Sequence, residues 1–107
     1  RPPCYVEIKN VTLSRENGLA EFPDSPTARG TKHLEELADR ARQGNRAVMF
    51  YLVNRDDCEV FKLAQDIDPG YAAKFDLAAK AGVEKIIYRS VIDESGIRLD
   101  KSLKALI

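Results

Sequence analysis

Glu7 and Lys9 stand two residues apart in the run Cys4-Tyr5-Val6-Glu7-Ile8-Lys9-Asn10-Val11-Thr12-Leu13. Side chains alternate along an extended strand, so both charged groups leave this run on the same face. The flanking Val, Ile and Tyr read as a buried strand, where a carboxylate or an ammonium is costly unless something compensates it. A carboxylate and a lysine held side by side at low dielectric can bind a divalent metal and stabilise a phosphate. Glu7 and the intervening Ile8 carbonyl offer oxygens to Mg²⁺ or Mn²⁺. Lys9 then meets the attacking water or the phosphate, whose developing charge the metal and the ammonium neutralise. The competing reading is a strand near a sheet edge that carries an ordinary ion pair.

One carboxylate is too few for such a site. Residues 1 to 6 hold no other acid, so a second ligand has to come from Asp24, from another segment, or from sequence before Arg1. Asp24 has three readings: metal ligand, cap of the helix that follows, or turn residue beside proline. Arg29 and His33 are four apart, with Glu36 and Arg40 continuing the same polar flank, a placement that can face phosphate. The first amides of a helix starting near Thr27, together with Arg29 and Lys32, attract an anion. His33, the only histidine, suits acid–base work near neutral pH; a solvated or capping role is the alternative.

Other chemistries fit less well. Nothing local activates Cys4 or Cys58 for a Cys–His pair with His33. Gly30-Thr31-Lys32 lacks the first glycine of a phosphate loop and has lysine and hydroxyl in the wrong order. Asp56-Asp57 and Asp66-Asp68 lack the ligand rhythm of a calcium loop. Tyr51, Tyr71 and Tyr88 fall on apolar faces as core residues rather than base-stacking ones.

These candidates need one domain to position them. The chain has 107 residues, 44% apolar, enough for a single core. Seventeen basic residues balance seventeen acidic ones, so no global field attracts nucleic acid, and such binding has to come from local clustering or another domain. No run approaches a membrane span, and Arg1-Pro2-Pro3 has no apolar signal-peptide body. Two cysteines without metal-type spacing fit a reducing cytoplasmic setting better than a disulfide. A start without methionine that enters a strand almost at once is what a fragment of a longer protein gives.

Along the chain, Asn17-Gly18 between apolar pairs predicts a hairpin over residues 13 to 22. Pro23 and Pro26 stop it and lead to a cap at Ser25 or Thr27. Leu34, Leu37, Ala38 and Ala41 then form the stripe of a helix over residues 28 to 43, stopped by Gly44. Ala47 to Val53 reads as a two-sided, central parallel strand. Asn54 to Ile67 shows no period and reads as a loop with a packed turn. Asp68-Pro69 opens a second helix with Tyr71, Phe75, Ala78 and Ala79 on its apolar stripe, ending at Gly82. Residues 83 to 92 form a third strand, residues 93 to 96 a turn, and residues 97 to 99 a short last strand. The fold class is α/β: a parallel βαβαβ core with right-handed crossovers, in a sheet made mixed by the early hairpin.

Val6-Glu7-Ile8-Lys9-Asn10-Val11-Thr12-Leu13, Phe22-Pro23-Asp24, Thr27-Ala28-Arg29-Gly30-Thr31-Lys32-His33-Leu34 and Glu36-Leu37 closely resemble the sugar fermentation stimulation protein A family. So do Arg46-Ala47-Val48, Ile67-Asp68-Pro69-Gly70-Tyr71, and Gly82-Val83-Glu84 with Tyr88. The resemblance covers nearly all of the chain. It implies a C-terminal domain with the PD-(D/E)xK restriction-endonuclease-like fold, the N-terminal OB-like DNA-binding domain lying outside these 107 residues. Glu7 then matches the metal ligand and Lys9 the catalytic lysine of the acid-x-Lys half-motif. The aspartate of the other half lies on a preceding strand in the family pattern, just before this chain begins, so the fragment alone binds metal and DNA weakly. The implied partner is nucleic acid, DNA above all, with metal-dependent phosphodiester hydrolysis as one activity. A catalytically inactive DNA-binding regulator of sugar metabolism is the other. A purely structural domain follows only if both charged groups point into solvent.

Overall fold

The computed structural model describes residues 3–106; Arg1 and Pro2, which open the start noted above, lie outside them. The chain begins with β1 (Cys4–Val11), followed by the hairpin β2 (Leu13–Glu16) and β3 (Leu19–Phe22) turning at Asn17-Gly18. Then come α1 (Ala28–Arg42), β4 (Arg46–Val53), β5 (Val60–Leu63), α2 (Pro69–Ala81), β6 (Glu84–Asp93), β7 (Gly96–Ser102) and β8 (Lys104–Ala105).

Two four-stranded sheets result. The first runs β1-β4-β6-β7, its first three strands parallel and β7 antiparallel; the second runs β2-β3-β5-β8. The hairpin therefore belongs to the second sheet, where β3 pairs parallel with β5, rather than making the first sheet mixed. That role falls to β7. The segment expected as a loop contains β5, whose Phe61 and Leu63 are buried while Lys62 points outward. Four residues are too few to show a period, and the partner strand is remote in sequence. The last strand likewise runs longer than residues 97 to 99, with an irregularity between Arg89 and Ser90.

Local signals fix both helices. Thr27 caps α1, its hydroxyl accepting from the Gly30 amide at 2.9 Å. Asp68 caps α2, with Pro69 in its first turn, and Gly82 closes it in the left-handed conformation at φ 111°. Leu34, Leu37 and Ala38 of α1 and Tyr71, Phe75 and Ala78 of α2 are buried; Ala79 is exposed, one position beyond the stripe. Gly30 lets the two helices approach, since a Cβ there would lie 3.1 Å from the Tyr71 ring and 2.9 Å from Thr27.

The core lies on one face of the first sheet. Ala47, Met49, Tyr51 and Val53 of β4 point to it and meet the helices and Phe61. Burial pushes the Tyr51 hydroxyl well above its ordinary pKa, and the neighbouring Tyr71, bonded to it at 2.5 Å, adds to the shift. The other face is open along β1, where Val6 and Ile8 are 50% and 58% exposed, and partly covered further in, where Val48 is buried and Phe50 stacks on Tyr88 with both half-buried. The buried environment expected for β1 is thus one-sided, and β1 is an edge strand, in line with the competing reading of its ion pair; β4 is central as expected, with Val48 buried and Phe50 and Leu52 half-buried on its second face. Alternation is what distinguishes its two faces: Val11 is buried, and Tyr5, Glu7 and Lys9 are half-buried beside exposed Val6, Ile8 and Asn10.

Glu21 shows how a buried acid is compensated elsewhere in the fold. Both its oxygens accept from Arg15, at 2.7 and 3.0 Å, and the same guanidinium binds Asp66 at 2.7 and 2.8 Å. The Arg15 hydrogen bonds hold the Glu21 carboxyl below its ordinary range against its burial. Because the folded-state value is depressed, Glu21 stabilises the fold above the ordinary glutamate range, and this contribution is lost as pH falls through the folded value. Urea midpoints measured from pH 6 downward should fall more steeply below about pH 4.3 for the parent than for Glu21→Gln. Leu34→Ala should cost about 2–5 kcal/mol by the same measurement, whereas Ile8→Thr on the open face should stay within about 0.5 kcal/mol.

Candidate functional site

Parallel pairing with β4 places Glu7 opposite Met49 and Lys9 opposite Tyr51, so the two charged residues lie at the rim of the core beneath α1. Their side chains converge with His33 from α1. Lys9 Nζ lies 2.6 Å from His33 Nδ1, Glu7 Oε1 lies 3.2 Å from the same nitrogen, and Lys9 and Glu7 are 3.7 Å apart. Lys9 retains 14% exposure, His33 18% and Glu7 35%.

The proton arithmetic favours one arrangement. An Nδ1 that accepts from the Lys9 ammonium carries no proton, which leaves the imidazole hydrogen on Nε2; an Nδ1 that donates to Glu7 carries one. Lys9, with three hydrogens and no acceptor role when charged, suits the first. Desolvation lowers the Lys9 pKa from its ordinary value; the Glu7 carboxylate opposes this shift, and the nearby Arg29 guanidinium reinforces it. The result is a carboxylate and an ammonium in a semi-enclosed rim, with the imidazole accepting from the ammonium and lying beside the carboxylate.

Of the residues singled out by sequence, the structure brings Glu7, Lys9 and His33 into contact and sets Arg29 within electrostatic reach of Lys9. Lys32 is exposed on α1 and joins none of these hydrogen bonds. Asp24 is exposed in the turn before α1 and does not cap it, that role belonging to Thr27. Among the described residues, no three His, Cys, Asp or Glu side chains form a group that could hold a metal. Cys4 and Cys58 are free thiols.

Two residues missing from the catalytic candidates also lie here. Arg40 places its guanidinium 4.7 Å from the centre of the Tyr5 ring, and a cavity of about 210 Å³ opens beside them along Glu7, His33, Glu36 and Leu37. Alternation from Glu7 and Lys9 could have found Tyr5. Arg40 could be placed on the polar flank of α1, but no local signal revealed its contact with the ring.

The cleft between an edge strand of a mixed sheet and the helix crossing from it defines an α/β domain consistent with the restriction-endonuclease-like fold. The comparisons then identify the kind. Residues 1–96 match the model of the sugar fermentation stimulation protein RE domain, and the chain belongs to that family. It is 60% identical over 98 residues to a sugar fermentation stimulation protein homolog of Ruegeria sp. (strain TM1040), covering 92% of this chain and 42% of the relative. Against the Rhodospirillum centenum homolog it is 51% identical over 104 residues, covering 97% and 45%. The solved structure of Pyrococcus furiosus SfsA in complex with Ca²⁺ superposes with a TM-score of 0.88 at 33% identity, over 97% of this chain and 45% of that one. The chain thus spans less than half the length of these relatives.

The position of α1 over β1 depends on Asp68. Its carboxylate accepts from the Tyr71 amide at 3.0 Å within its own helix and from the Thr27 amide at 2.8 Å at the start of the other. One side chain therefore ties both helix N-termini together. Asp68→Ala should destabilise the domain by about 1–2 kcal/mol, as cap removal does. It should also shift the His33 ring resonances in NMR spectra; Asp68→Asn, with one acceptor oxygen in place of two, can keep only one of the two amide bonds and should restore them only in part.

Proposed function

We propose that this chain is the nuclease-like part of a DNA-acting protein and supports divalent-metal-dependent phosphodiester hydrolysis at Glu7 and Lys9. The observation that carries this reading is the convergence of Glu7, Lys9 and His33 within 2.6–3.7 Å at the rim of the core, with Arg29 beside them. Glu7, with the Ile8 carbonyl, is the oxygen donor set for Mg²⁺ or Mn²⁺, a hard ion that binds through one or two carboxylates and keeps several waters. One carboxylate gives a weak site in this chain alone. The Ca²⁺ of the Pyrococcus furiosus relative supports an oxygen-ligating centre in the family. Asp24, the second carboxylate read from the sequence, forms no three-ligand group with Glu7 and His33 and would have to approach them to complete it.

A bound metal would supply charge neutralisation and a more acidic water. The chain's own residues do the rest. Lys9, whose ammonium is easier to deprotonate than an exposed lysine, lies against the phosphate and polarises it or orients the attacking water. His33 holds the Lys9 amine in place through Nδ1, and Arg29 and Lys32 attract the neighbouring phosphates. The cytoplasm, where DNA and free thiols coexist, is the proposed compartment.

A second reading is a catalytically inactive DNA-binding regulator of sugar metabolism that retains this pair. The single carboxylate beside His33, with no three-ligand group among the described residues, is the observation in its favour. Labelled single- and double-stranded DNA should be incubated with Mn²⁺ and this chain carried in a polypeptide as long as its relatives. Cleavage should fall at least about a hundredfold in both Glu7→Gln and Lys9→Ala, and Asp24→Asn should weaken metal binding. Unchanged cleavage in both variants would remove the site. Salt-sensitive binding without any cleavage would favour the regulator.

A further inference from the structure

The charged cleft does not end at Glu7. Tyr5, Glu7 and Lys9 alternate along one face of β1, each step advancing about 7 Å, and the facing flank of α1 carries Arg29, His33, Glu36 and Arg40. The two elements meet in three tiers. Lys9 lies near Arg29, Glu7 contacts His33, and Tyr5 lies under Arg40. The first tier carries two cations, with Glu7 3.7 Å from Lys9, and suits a phosphate. The last is different, because the cavity of about 210 Å³ beside Tyr5 has Leu37 in its wall and two carboxylates, Glu7 and Glu36, on its lining.

Two acids facing a single guanidinium repel a phosphate. They accept hydrogen bonds, however, and a guanidinium lying over a tyrosine ring is a flat platform on which a base can stack. We propose that the Tyr5–Arg40 cavity is a nucleobase pocket, taking the unpaired base of the nucleotide next to the phosphate at Lys9 and preferring bases with an exocyclic amine. This rests on the phosphodiester reading of Glu7 and Lys9. A base inside a duplex is stacked on both sides and paired at its edge, so only an unpaired nucleotide can enter. Glu36, an acceptor without donors once ionised, discriminates adenine or cytosine from thymine.

The test is an NMR titration of this chain, isotope-labelled and carried in a polypeptide as long as its relatives, in Ca²⁺, with single-stranded dA and dT pentamers and with a duplex. The dA pentamer should move the signals of Tyr5, Leu37 and Arg40 together with those of Lys9, and bind at least threefold tighter than dT. Arg40→Ala should weaken it at least about fivefold, the loss expected of one stacked base; Arg40→Lys should fail to restore it, since an ammonium is not planar. Glu36→Gln should abolish the dA preference while the Lys9 signals still respond. Movement at Lys9 and Arg29 with Tyr5 and Arg40 silent would overturn the pocket and leave the phosphodiester reading standing. Equal affinity for dA and dT, or the same Tyr5 shifts with duplex, would also overturn it. No movement at either end of the cleft would overturn both.

Discussion

The structure turns on a conflict within one strand: β1 must bury one face against α1, and that face carries a carboxylate and an ammonium. Register with β4 fixes where they go, since Glu7 and Lys9 lie opposite Met49 and Tyr51, whose side chains are fully buried. An isolated charge so placed is costly. Here the cost is contained because β1 is an edge strand and its rim retains partial solvent contact, and because His33 descends from α1 to accept from the Lys9 ammonium. Glu21 shows the other solution in the same fold. Its partner Arg15 satisfies both oxygens with a matched pair of hydrogen bonds, the geometry of a structural ion pair. Glu7 and Lys9 lack that match at 3.7 Å, which leaves the carboxylate free to bind something else.

Holding His33 against Lys9 requires α1 at a fixed height above β1. Three features act together: the Thr27 cap, the absence of a Cβ at Gly30 where Tyr71 approaches, and the Asp68 carboxylate shared between both helix starts. Phe22, packed against both Tyr51 and Tyr71, links the end of the hairpin to the same point. Helix, hairpin and central strand thus converge on the Tyr51–Tyr71 pair directly beneath the charged rim. Displacing α1 would separate His33 from both its neighbours, so local capping chemistry and site geometry are one mechanical unit.

Much of this was legible from the residues because it is local. Thr27, Asp68-Pro69 and Gly82 announce helix ends through backbone groups a few residues away, and Asn17-Gly18 announces its turn in the same manner. The two-residue step from Glu7 to Lys9 likewise sets them on one face whatever the tertiary structure. What failed was non-local. β5 exists because Val60 to Leu63 find β3, far away in sequence, and the division into two sheets follows from that pairing. The open face of β1 was hard to see for the same reason, since Val6 and Ile8 have buried-strand character while both are exposed. Arg40 reaching Tyr5 depends on how α1 lies across the sheet, which periodicity within a helix cannot supply.

If the acid and the amine of β1 are kept for chemistry, the fold should not need them. The direct measurement is the urea unfolding free energy of the double variant Glu7→Leu/Lys9→Met, since replacing a partly buried ion pair by apolar groups of similar size is neutral or stabilising unless the pair holds the structure together. The double variant should be at least as stable as the parent, with His33 released from its contact with Lys9. A loss of more than about 3 kcal/mol would mark Glu7 and Lys9 as a structural pair and contradict the assignment of this cleft to phosphate chemistry.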